Sequence, residues 1–252
     1  MTSQQFRSGK SGRKTFGLDI LPQPTETTCG PTCLHAVYHY YRQSISLKRV
    51  IQEIPTLEGG GTLAVNLACH ALQQGYQATI YSYNLTIFDP TWFRLPSDAL
   101  YDKLKKQLKY KKQTKLRIAT KAYLEFLERG GQVRFQDLTS ALIRKYLKRS
   151  IPIITGLSAT YLYQTAREYG INCDYDDLRG EPSGHFVVLY GYDRDDYTVK
   201  IADPLLPNPY APTNKYEVKM PRLVCSILLG VLTYDAKLLI IEPSPKKKIQ
   251  TL

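Results

Sequence analysis

No apolar run in this sequence is long enough to cross a membrane. The longest, Cys225 to Leu232, falls far short of the roughly 18–20 residues that a helical span needs. The N-terminus lacks the apolar core of a secretory signal, and no acidic residue precedes Asp19. Its glycines oppose an amphipathic targeting helix, so residues 1–17 read as a flexible basic segment. Cysteine is sparse and odd in number. Five cysteines, with Cys29 and Cys33 only one helical turn apart, make a poor disulfide framework and imply a reducing, cytoplasmic setting. Gly59-Gly60-Gly61 is not followed by the Lys-Ser/Thr of a phosphate loop and reads as a turn. No internal repeat is present.

What the chain does have is ordinary core material and an excess of positive charge. At 252 residues and 43% hydrophobic content it can bury a sizeable core, in one large domain spanning 18–242 and a basic tail over 243–252. The net charge of +12 points to acidic partners or a nucleic-acid-facing surface. The charge is densest from Lys103 to Lys121, where Asp102 is the one nearby acid. Tyr110 is the one aromatic at stacking range there, too little for base stacking. The stretch Lys103–Lys121 reads first as a solvated face; as a docking surface it would take an acidic protein or peptide partner before a nucleic acid.

Periodicity orders the elements. Helices are expected from about Pro31 to Tyr41, Leu47 to Glu53 (capped by Ser46) and Leu63 to Gln74 (capped by Thr62), then a strand from Gln77 to Tyr83. An irregular aromatic stretch, Asn84 to Pro96, leads into a basic helical insert at about 85–150, with Thr139 opening its last helix. Ile151 to Leu157 is a continuous apolar run of buried-strand length. Tyr161 to Arg179 reads as an irregular connection. His185 to Tyr192 and Tyr197 to Ala202 form a hairpin, a polar loop follows, Pro221 to about Val231 is helical, and Lys237 to Ile241 is a last strand. Helices first and then a mostly antiparallel sheet is an α+β pattern.

The chemistry gathers around Leu21 to Leu34, LPQPTETTCGPTCL. A proline-broken loop enters a helix at Cys29, with Thr27 and Thr28 as plausible caps. The first-turn N–H groups and the helix dipole put positive potential at Cys29, which suits a nucleophilic cysteine. Gln23, six positions upstream, can fold back and donate a hydrogen bond to an oxyanion beside it. His185 stands at the mouth of one hairpin strand and Asp203 at the end of the other. The hairpin sets them side by side as base and orienter. Cys33 reads as core. Cys29, Cys33, His35 and His39 overlap on one short helix and cannot converge on one ion, so no metal is expected, and no cofactor is implied.

Three blocks now stand in order: Gln-x5-Cys-Gly-Pro-x-Cys-Leu, Gly-His-Phe-Val-Val-Leu-Tyr-Gly-Tyr-Asp, and Ile-Ala-Asp-Pro. Together they resemble the papain-type cysteine peptidases of family thirty-nine, the bacteriocin-processing, double-glycine leader peptidases, and more narrowly their stand-alone bacterial peptidase-like members. The resemblance covers about Leu21 to Asn84 and Ile151 to Ile241. It implies a papain-like α+β fold and hydrolysis of a peptide bond in a peptide or protein substrate, in many relatives after a Gly-Gly leader end. By that pattern Cys29, His185, Asp203 and Gln23 fall on the functional positions. The chain departs from it at Thr28, where many relatives carry an acid, in the basic insert, and in the absence of a following transporter segment. The same triad also suits an acyl or amide transferase, and the fold without turnover suits a peptide-binding module.

Overall fold

The computed structural model describes residues 12–96 and 98–245. The helices are α1 (Cys29–Tyr40), α2 (Leu47–Glu53), α3 (Ala64–Gln73), α4 (Ala99–Tyr110), α5 (Thr114–Glu128), α6 (Ser140–Leu147), α7 (Ala159–Tyr163) and α8 (Met220–Leu229). The strands are β1 (Arg13–Thr15), β2 (Tyr76–Ser82), β3 (Gln132–Arg134), β4 (Ile153–Ser158), β5 (Glu168–Tyr169), β6 (Asp174–Tyr175), β7 (Gly184–Asp193), β8 (Thr198–Ala202), β9 (Lys215–Lys219) and β10 (Lys237–Pro243). The main sheet runs β3-β2-β10-β4-β7-β8-β9, with β1 added against β7. Only β2 with β3 is parallel among the described pairings of this sheet. The architecture is the expected α+β one.

Both faces of the sheet are covered, which explains its apolar runs. Ile154, Phe186, Val188, Leu239 and Ile241 face a core shared with α1 to α5. Their sequence neighbours Ile153, Val187, Leu189, Leu238 and Ile240 face a second core under α6, α7 and α8. The period-two alternation along the strands thus feeds two cores rather than one core and solvent. The last strand lies inside the sheet. β10 pairs with β2 on one side (Leu239 opposite Ile80) and with β4 on the other (Leu239 opposite Ile154).

Several expectations need correction. The end of the flexible lead-in is structured: Arg13–Thr15 pair with Asp193–Gly191, and Arg13 Nε donates to Asp193 Oδ2 at 2.6 Å. Residues 1–11 and the lysines of the tail, Lys246 to Lys248, lie outside the described residues. Ser46 and Thr139 cap α2 and α6 as expected, accepting from Arg49 N and Leu142 N. Thr62 does not cap α3; its hydroxyl donates to the Pro55 carbonyl at 2.9 Å. The stretch from Tyr161 to Arg179 contains the end of α7 and the β5–β6 hairpin. The polar loop after Asp203 ends in a strand, β9, in which Lys-Tyr-Glu-Val-Lys alternates between outward and buried positions.

The basic insert is part of the fold rather than an appendage. Leu100 and Leu104 of α4 and Leu116, Tyr123 and Phe126 of α5 are buried in the same core as α1. The lysines occupy the opposite, exposed faces, and Arg117 pins the α4–α5 turn by donating to the Leu108 carbonyl at 2.5 Å. Phe126→Ala should therefore cost about 3–5 kcal/mol of global stability, as for a fully buried aromatic. Lys105→Ala on the exposed face should stay within about 0.5 kcal/mol. Urea unfolding of both variants checks this; equal, small losses would mean that the insert is peripheral after all.

Candidate active site

Four stretches meet at the head of α1. The helix begins at Cys29 itself, two residues earlier than the sequence suggests. No side chain caps it. Thr28 instead closes a turn with Thr25, its hydroxyl donating to the Thr25 carbonyl at 2.9 Å, while its own carbonyl accepts from Thr32. One turn further on, the buried Cys33 thiol donates to the Phe186 carbonyl at 3.2 Å. That contact fixes α1 against β7 and sets Cys29 beside His185. Burial, with Cys29 and Asp203 adding to it, raises the Cys33 thiol well above its ordinary value, so Cys33 is a core thiol as expected.

His185 is buried at the start of β7, opposite Leu157 of β4. Its Nε2 is 2.8 Å from Asp203 Oδ1. Cys29 lies close enough to the same ring to act on it electrostatically, and Nδ1 is the ring nitrogen that Asp203 leaves open. Burial alone would lower the imidazole. The Asp203 charge and hydrogen bond, with Cys29, outweigh it and hold His185 well above 6.5.

Asp203 follows β8 and is completely buried. A carboxylate without water needs donors, and this one has four: His185 Nε2, Leu205 N at 2.9 Å, Tyr163 Oη at 2.7 Å and Tyr216 Oη at 2.5 Å. Burial pushes its carboxyl up, but His185, Tyr216 and the Leu205 N–H prevail and hold it below 3.8. Sequence reading missed both tyrosines. Tyr216 sits opposite Ile201 on β9, and the alternation of that strand was the available signal. Tyr163 ends α7, and nothing in its local sequence marks it.

Gln23 is brought to the same place by its backbone. Its N–H donates to the Pro204 carbonyl at 2.8 Å, and Asn214 Nδ2 donates to the Ile20 carbonyl at 3.1 Å. Among the described residues no hydrogen bond joins the Gln23 side chain to Cys29 or His185, and its buried Oε1 accepts none. A cavity of about 220 Å³ opens beside the cysteine, lined by Cys29, Glu26, Gly60, Lys115, Gly184 and Asp235 among others. The histidines elsewhere take no part. His70 is a core residue bonded to Tyr38 (2.7 Å) and Glu53 (2.9 Å), and His35 stacks on His39.

The profile of the Peptidase_C39 like family matches residues 17–220. The chain belongs to that family. Solved structures that it resembles include a double glycine motif protease from an AMS/PCAT transporter in complex with the leader peptide, 16% identical, covering 92% of this chain and 95% of that one, TM-score 0.44. A candidate C39-like peptidase from Bacillus anthracis is 12% identical, with 91% and 96% covered and a TM-score of 0.49. Xylellain, a cysteine protease from Xylella fastidiosa, is 12% identical, with 92% and 86% covered and a TM-score of 0.43. No curated protein gives a significant match. Among the described residues, no helix of this C39-like chain is long and apolar enough to cross a membrane.

The His185–Asp203 pair sets a pH window for stability. Asp203 is depressed, so its contribution is complete above 3.8 and is lost as pH falls through the lower folded value. His185 is raised, so its contribution is complete below 6.5 and is lost as pH rises through the folded value. Unfolding free energy against pH should be highest between the two, and Asp203→Asn should flatten the alkaline limb. Tyr163→Phe and Tyr216→Phe should each cost about 1.5–3 kcal/mol, the worth of a hydrogen bond to a charged group. Unchanged urea midpoints in both would contradict the role given to the tyrosines.

Proposed function

We propose that this chain is a cysteine peptidase in which Cys29 is the nucleophile, His185 the general base and then acid, Asp203 the orienter, and Gln23 with the Cys29 N–H the oxyanion donors. The observation that carries this reading is the buried Asp203–His185 hydrogen bond with Cys29, at the first turn of a helix, beside the same imidazole. His185 takes the thiol proton, and the sulfur attacks the scissile carbonyl carbon to form a C–S bond. The negative oxygen of the tetrahedral intermediate is met by the helix N–H and the Gln23 amide. Collapse breaks the C–N bond, and the imidazolium gives its proton to the leaving amine. Water, deprotonated by His185, then attacks the thioester carbon, releases the carboxylic acid and returns the thiol.

The substrate is a peptide or protein segment drawn through the cleft between α1 and the Gly59–Gly61 loop. The exposed lysines of α4 and α5 favour an acidic partner, or an acidic stretch of that substrate, alongside it. Five unpaired thiols, Cys29, Cys33, Cys69, Cys173 and Cys225, support a reducing cytoplasmic setting.

The test is mass-spectrometric profiling of a peptide library. Cys29→Ala should end all cleavage while the far-ultraviolet spectrum and melting temperature hold. Asp203→Asn should slow cleavage by roughly 10²–10⁴-fold, as loss of an orienting carboxylate does elsewhere. Cys33→Ala should keep the cleavage pattern. Cleavage surviving in Cys29→Ala would remove this function.

A further inference from the structure

The cleft holds a carboxylate that this chemistry does not use. Asp235 lies between the 3-10 turn Gly230–Thr233 and β10, and its side chain lines the cavity that Cys29 lines. The sheet is built to seat it. A Cβ on Gly156 of β4 would stand 2.8 Å from the Asp235 Cβ, and one on Gly184 of β7 would collide with the Asp235 carboxylate. Gly184 immediately precedes His185. Two adjacent strands thus lack side chains where a buried carboxylate enters, one residue from the imidazole.

The seat satisfies only half of that carboxylate. Oδ2 accepts from Thr233 Oγ1 at 2.5 Å, and Oδ1 accepts no hydrogen bond among the described residues. Three basic groups surround it: Lys237 from β10, Lys115 from α5 and His185 from β7. Each is committed elsewhere. The Lys237 ammonium donates to the Tyr234 carbonyl. Lys115 Nζ is 3.3 Å from the Thr233 carbonyl and 4.8 Å above the Tyr234 ring. His185 faces Asp203 and Cys29. None of the three forms an ion pair with Asp235 among the described residues. On a chain of net charge +12, the cavity beside the cysteine carries two carboxylates, Glu26 and Asp235, against one ammonium, Lys115. A buried carboxylate that lines a cleft with one oxygen unbonded is unfavourable unless something positive arrives there.

We propose that Asp235 is a specificity-determining residue that receives the cationic side chain of a substrate lysine or arginine close to the bond that Cys29 attacks. This rests on the peptidase reading above. The subsite is charged only in part of the pH range. Burial pushes the Asp235 carboxyl up to about 6, against the pull of Lys237, Thr233, Lys115 and His185. Above that value it is an anion and selects the cation. Below it the carboxyl is neutral and the preference is lost.

Matched peptidyl vinyl sulfones test this, carrying lysine or norleucine at the first, second or third residue from the sulfone. The second-order rate of Cys29 modification is read by intact mass. At one position the wild-type protein should prefer lysine by about tenfold at neutral pH, the worth of one charge-assisted hydrogen bond. The ratio should approach unity one pH unit below the Asp235 value, and at neutral pH in Asp235→Asn. Because the ratio compares two probes on one protein, the titration of His185 cancels, and the pH series needs no variant to fold. Parity at every position in wild type, or a preference that survives Asp235→Asn, overturns the subsite and leaves the peptidase reading standing. Failure of every probe to modify Cys29 faster than in His185→Ala removes the peptidase reading, and the subsite falls with it.

Discussion

Asp203 constrains this structure more than any other group. A carboxylate removed from water costs several kcal/mol unless its oxygens are satisfied from within. Its four donors come from four places: the start of β7, the end of α7, the middle of β9 and its own loop. Each of those elements must reach its final position before the charge is tolerable, and once there they hold the imidazole at a fixed height and angle. The same carboxylate raises His185 despite burial. Orientation, protonation state and local rigidity at the site are consequences of one buried negative charge.

The α4–α5 hairpin takes a different part. Its buried face belongs to the core, and its exposed face carries the lysines. Lys115, at the start of α5, reaches over to Thr233 and Tyr234 and so joins the helical side of the cleft to the segment that leads into β10. An adjoining cavity of about 290 Å³ continues from there between Gly59–Gly60 and Ile118. A segment that looks like an insertion in the sequence therefore forms one wall of the groove.

Much of this was legible in the sequence, and the reasons differ from element to element. The helix at Cys29, the buried run from Ile151 to Leu157 and the β7–β8 hairpin follow from periodicity and turn residues, which are local signals. Local signals also brought Cys29, His185 and Asp203 together, because a hairpin and a loop-to-helix junction fix where those side chains emerge. The roles of Tyr163 and Tyr216 were not legible, although the alternation of β9 marks Tyr216 as an inward residue. They act through phenol oxygens delivered by tertiary packing, and a tyrosine-rich chain offers no spacing that singles two of them out. Asp235 escaped for the same reason, since its seat is made by glycines on two strands far from it in sequence. The Thr62 cap failed because the helix starts one residue later, at Ala64, which leaves Leu63 in the capping position.

The interior position of β10 governs the order in which the molecule can come into being. The thiol rides on the helical N-terminal half, and the imidazole and carboxylate ride on β7 and β8. Within the sheet the two halves meet through residues 237–243, which join β2 to β4, and through β1, which pairs with β7. A chain emerging from the ribosome has made Cys29, His185 and Asp203 long before it has made β10. Until residues 237–243 clear the exit tunnel, β2 and β4 lack the strand that joins them. The geometry around Cys29, His185 and Asp203 thus depends on a strand synthesised after all three.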